Sequence, residues 1–100
     1  MEKVTKDRSL TAKENVIKNL INSNNEDAVN AFVFMYNHYQ FEYVTGNSNY
    51  FPVLKAIYVE NVKMPKWKLA QYCGVSRTTL FDYRHEIIRC FYLCINNALR

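Results

Sequence analysis

The residues best placed to do chemistry lie between positions 63 and 89, and what they offer is recognition of a polyanion rather than bond making. Arg77 carries a guanidinium that can pair with two acceptors on a guanine edge, a match worth roughly 1–3 kcal/mol of discrimination; its other use is a phosphate contact. Thr78 can donate to a base or meet a thymine methyl. On a helix beginning near Arg77, the residues Thr78, Asp82, His85 and Arg89 lie opposite Leu80 and Ile87, with Phe81 at the boundary and Ser76 at the tip. Asp82 runs against this pattern, because a carboxylate facing phosphates is repelled unless it accepts from cytosine or pairs with a cation. His85 reads as a solvated histidine or a phosphate contact. Lys63, Lys66 and Lys68 surround the start of a shorter preceding helix, where ammonium groups and backbone amides can clamp a phosphate backbone. Trp67 between them reads as a core anchor rather than a stacking platform. If about four phosphates are neutralised, log affinity should fall with log salt at a slope of roughly −3 to −4.

Such side chains need a scaffold, and residues 66–85, KWKLAQYCGVSRTTLFDYRH, carry the spacing of a helix-turn-helix. Ala70 is small where two helices must approach. Gly74, four residues later, tolerates the positive φ of a tight turn. Leu69, Cys73, Val75 and Leu80 are apolar where the motif closes its small core, and Ser76 stands where an N-cap is wanted. Pro65 suits the first turn of the leading helix, and the second is expected to run from 77 to about 97, near 30 Å at about 1.5 Å per residue. Its stripe of Leu80, Ile87, Phe91, Cys94 and Ala98, flanked by Ile88 and Ile95, extends past what the motif needs. The C-terminal half must therefore cover an N-terminal helix or a second subunit.

The N-terminal half reads as a helical pair over 11–44. Residues 11–14 (TAKE) form a capping-box signature for a helix to about 21, with Val16, Ile17, Leu20 and Ile21 on one face. Residues 23–26 (SNNE) repeat the signature for a second helix to about 43, on which Ala28, Ala31, Phe32, Met35, Tyr36 and Tyr39 recur at helical intervals. Alternation of Phe32, Phe34 and Tyr36 also fits a strand. A helix apolar on most of its circumference is expected to be buried on most of it. Residues 45–49 (TGNSN) are the clearest linker, and Pro52 opens a third helix to about 60. The expected fold is all-α: one domain of about five helices spanning 1–100, its helix-turn-helix region at 50–98.

Charge is segregated along the chain. From residue 61 onward seven Lys and Arg face two Asp and Glu, a net of +5, whereas the first sixty residues carry six against seven, a net of −1. The positive excess coincides with the motif, as a polyanion-binding surface requires. The three cysteines, Cys73, Cys90 and Cys94, are an odd number in apolar helical contexts and read as reduced, buried thiols. Charged residues follow Met1 at once and no apolar run reaches membrane length, so a cytoplasmic protein with no membrane partner is expected.

Catalytic and metal chemistry is not expected. There are two histidines, His38 and His85. After His85-Glu86, Arg89 stands where a zinc-protease helix needs its second histidine. Cys90 and Cys94 are one turn apart without further ligands, and two lone glycines cannot cradle a phosphate. No enzyme, cofactor or metal site is expected.

The segment LKAIYVENVKMPKWKLAQYCGVSRTTLFDYRHEIIRCF resembles the helix-turn-helix of sigma-factor region 4 and, more closely, phage late-gene regulators of the ArpU and RinA type. Ile57-Tyr58, Leu69-Ala70, Cys73-Gly74-Val75-Ser76 and Phe81-x-Tyr83-Arg84 carry the likeness, which covers under half the chain. It implies DNA binding by Lys66, Lys68, Ser76, Arg77, Thr78 and Arg84, in a phage or mobile-element setting. The reading is a sequence-specific transcriptional regulator of double-stranded DNA, a homodimer because one recognition helix contacts few bases. The alternative is a protein-interaction module that keeps the motif as scaffold and binds RNA polymerase or another host factor, which Asp82 and Glu86 favour.

Overall fold

A computed structural model describes the backbone of residues 2–98 and the side chains of residues 8–96. Among these residues the fold is all-helical: α1 (Glu2–Asn22), α2 (Glu26–Val44), α3 (Tyr50–Leu54), α4 (Lys66–Cys73) and α5 (Arg77–Ala98), with α3 continuing as a π-helical turn over Lys55–Val59. The side chains of Ala98 and Arg100, placed in the α5 stripe and the positive excess by sequence, lie outside the described residues.

α1 begins at Glu2, nine residues before the expected start, so Thr11 and Glu14 are not a capping box. Leu10 and Ile17, two turns apart, are its buried contacts, Leu20 and Ile21 are half-buried, and Val16 is 49% exposed. The helix ends in a left-handed residue, Asn24 at φ 60°, with Asn24 N–H on the Ile21 carbonyl at 3.1 Å and Asn25 N–H on that of Leu20 at 3.2 Å. Ser23, expected to cap α2, instead donates to the Leu20 carbonyl. The cap is Asn25, whose side chain accepts from Ala28 N–H at 3.0 Å.

α2 lies between the other elements, with its longest contact along α5. Ala28, Ala31, Met35 and Tyr39 form its buried face, as the helical intervals predict, and the strand alternative is excluded. It is not buried on most of its circumference: Val33, Phe34, Phe41 and Val44 are 50–77% exposed. Phe34 and His38 stack in parallel with centroids 6.4 Å apart. On the inner side, rings connect α2 to its neighbours, Tyr36 meeting Phe51 edge-on at 5.1 Å and Tyr39 meeting Tyr50 at 5.2 Å. Tyr50 in turn lies 4.2 Å from Tyr83 of α5, so α3 is wedged between α2 and α5.

The third helix spans the expected residues but changes pitch. Glu60 N–H reaches back five residues to the Lys55 carbonyl at 2.8 Å, and the wider turn buries the consecutive residues Ala56, Ile57 and Tyr58. α5 turns Leu80, Ile87, Ile88 and Phe91 into the same core that receives Leu10, Ile17 and Met35, and leaves Cys94 and Ile95 half-buried. Its C-terminal half therefore covers α2, one of the two surfaces its stripe predicts. No described helix is long and apolar enough to cross a membrane.

Candidate nucleic-acid interface

The α4–α5 turn forms as its residue types dictate. Gly74 adopts φ 74° and ψ 30°, with its N–H on the Gln71 carbonyl at 3.1 Å and that of Val75 on the Ala70 carbonyl at 2.9 Å. A Cβ on Gly74 would meet nothing within 4 Å, so the backbone conformation, not crowding, calls for glycine. Ser76 then caps α5: its Oγ accepts from Thr79 N–H at 3.1 Å and donates to Thr79 Oγ1 at 2.9 Å. Leu69, Ala70, Cys73 and Leu80 are buried, Val75 is half-buried, and the Cys73 thiol donates to the Pro52 carbonyl at 3.7 Å. Pro65 sits one position earlier than expected, as the extended N-cap of α4, its carbonyl accepting from Lys68 and Leu69.

Beyond this cap, Arg77, Thr78, Asp82 and His85 are exposed along one side of α5, with Phe81 half-buried beside them. Lys63 and Lys68 are exposed and Lys66 is half-buried. Three expected residues take other roles. Arg84, assigned to DNA by the resemblance, is only 2% exposed and points inward: Nε donates to Glu14 Oε2 at 3.0 Å, and Nη2 to Glu14 Oε1 at 2.8 Å and to Thr11 Oγ1 at 3.2 Å. A guanidinium engaged this way in the core cannot reach a groove of DNA. Arg89 is exposed but joined to Glu86, Nη1 to Oε2 at 3.1 Å, which neutralises it locally. Trp67 is 53% exposed and anchors no core, because α4 presents Leu69, Ala70 and Cys73 inward and Trp67 falls on its outer side.

Thr11 and Glu14 thus have a purpose that the capping signature hid. Glu14 stands in line with Leu10 and Ile17, and Arg84 in line with Leu80, Ile87 and Ile88. A charge in each helix's apolar stripe was the available signal, because a buried charge requires a partner.

Two of the lysines placed around α4 also meet an unexpected neighbour. Lys63 and Lys66 line a groove of about 400 Å³ together with Lys18 of α1, over a floor that includes Glu14 and Arg84. Lys18 Nζ lies 6.0 Å from the Tyr58 ring centre, and the buried Tyr58 hydroxyl has no hydrogen-bond partner among the described residues. Burial holds the Lys18 ammonium below its ordinary pKa; Glu14 opposes this, and the like charges of Lys63, Lys66 and Arg84 add to it. No group of three or more His, Cys, Asp or Glu among the described residues is arranged to hold a metal ion.

Comparison with known proteins finds no matching family model, no matching curated protein and no matching solved structure.

Proposed function

We propose that this chain binds double-stranded DNA through α4 and α5 and acts as a sequence-specific transcriptional regulator of the phage or mobile-element kind, in the cytoplasm. The observation that carries this reading is the Ser76-capped start of α5, which leaves Arg77 and Thr78 exposed at the end that a major groove would receive, with Asp82 and His85 behind them. Lys63, Lys66, Lys68 and Arg77 supply the neighbouring positive charge. Arg84 has no part in the contact, and Arg89 only a weakened one. A second copy of the chain would supply the second half-site, and the ring-bearing side of α2 is the surface we assign to that contact.

Fluorescence anisotropy with duplex DNA across a salt series tests the reading. Wild type should bind with a log-log slope of roughly −3 to −4, Lys68→Ala should lower that slope by about 1, and Arg77→Ala should weaken binding by about fivefold to a hundredfold. Absence of binding at low salt, or unchanged affinity in both variants, sinks it.

Two observations favour the second reading, a protein-interaction module that docks on RNA polymerase or another host factor. Arg84 and Arg89 are both engaged by carboxylates, and the rings of Trp67, Phe34 and Phe41 are more than half exposed. On that reading Trp67→Ala abolishes capture of the partner while the duplex titration stays flat.

A further inference from the structure

We propose that the groove between α1, the α3–α4 connection and α5 is a binding site for a small free phosphoryl compound carrying two or more negative charges. Its rim is formed by Lys18, Lys63 and Lys66, brought from two distant parts of the chain to one cavity of about 400 Å³. None of the three forms an ion pair among the described residues. The nearest carboxylate, Glu14, already holds Arg84 with both oxygens. Three lysines that no described carboxylate pairs with therefore line one groove, where Lys63 and Lys66 repel the Lys18 ammonium and the Glu14 carboxylate offsets that repulsion only in part.

The type of donor selects the class of anion. The fork of Arg84, which would suit a planar carboxylate, is engaged by Glu14 and Thr11, leaving the lysines as the cationic donors of the groove, beside the amide of Asn15. Lysine ammoniums are point charges with rotatable donors and suit the tetrahedral oxygens of a phosphoryl group. Ile57, Val62, Met64 and Leu69 add apolar lining to the same groove, so the compound carries an uncharged portion beside its phosphoryl end. Burial first, and then the like charges of Lys63, Lys66 and Arg84, hold the Lys18 ammonium below its ordinary pKa, and a bound dianion would relieve the second of these.

The site differs from the proposed DNA face in using Lys18 and the inward side of α5. The test uses the full chain and inorganic pyrophosphate, without DNA, by calorimetric titration and thermal melting against sodium chloride of equal ionic strength. Saturable binding with a rise in Tm of more than about 5 °C is expected for wild type. Lys18→Gln and Lys63→Gln should each weaken binding about tenfold, while Lys13→Gln, exposed on α1 outside the groove, should leave it unchanged. Equal responses in wild type and both groove variants, or no saturable binding, overturn the proposal. Duplex affinity of Lys18→Gln, measured on the same preparation, should stay within about twofold of wild type. A parallel loss of duplex affinity without saturable pyrophosphate binding would make the groove part of a DNA track and overturn the proposal as well.

Discussion

A guanidinium taken out of water keeps its charge, so Arg84 commits the protein to the carboxylate at position 14. Glu14→Ala takes both carboxylate contacts from a buried charge and should cost about 3–5 kcal/mol in urea unfolding, whereas the double replacement Glu14→Leu with Arg84→Met should cost far less than either half. Additive costs would contradict the bidentate pair. Tyr58 gives the opposite expectation. Its hydroxyl is buried without a partner among the described residues, so Tyr58→Phe should leave stability unchanged or raise it by about 1 kcal/mol. At this scale the sequence was partly readable. Exposure of Thr78, Asp82, His85 and Arg89 follows from helical spacing alone, and so does the inward position of Arg84 between Leu80 and Ile87. What spacing could not supply is the partner, which lies 70 residues away on another helix. Lys18 was hidden for the same reason, since a lone lysine on α1 looks like solvated surface until Lys63 and Lys66 are folded beside it.

Among the elements, the α4–α5 turn carries its instructions locally. Ser76→Ala should destabilise by about 1 kcal/mol through loss of the cap, and Gly74→Ala by about 1–2 kcal/mol through positive-φ strain alone, both measured by denaturant midpoint at constant m-value. A larger cost at Gly74 would imply a clash that the open space there does not contain. Because glycine, serine and the apolar positions act within a few residues of one another, this part of the fold was legible, as was the start of α5 at Arg77. The start of α1 was not. A threonine followed three residues later by glutamate is satisfied equally by a cap and by two side chains aimed at the same distant arginine. The π turn at Lys55–Val59 leaves no local signature either, being imposed by the need to bury Ala56, Ile57 and Tyr58 in succession.

The whole molecule should be sensitive to base. Burial raises the Cys73 and Cys94 thiols to about 11 from a usual 9.0, and raises the Tyr39 and Tyr58 phenols above their usual 10.0. In each case the folded state favours the protonated form, so this stability is fully present below about pH 9 and is lost as pH rises through 11. Lys18 works the other way, its lowered pKa favouring the fold as it deprotonates, but it is a single half-exposed group against four. Tm should therefore hold to about pH 9 and fall steadily beyond it in a thermal melt series; a rise in Tm from pH 9 to 11 would contradict this balance. The ion pair between Glu14 and Arg84 has a further consequence, for how the chain can be divided. Charge pattern and motif invite a cut near residue 46, separating a helical pair from a helix-turn-helix. Yet the second piece would then carry a core arginine deprived of the Glu14 carboxylate and a long α5 whose Ile87, Ile88 and Phe91 have lost their cover. Residues 50–98 expressed alone should lack a cooperative thermal transition, and adding residues 1–49 in trans should restore one, making the two segments halves of a single folding unit.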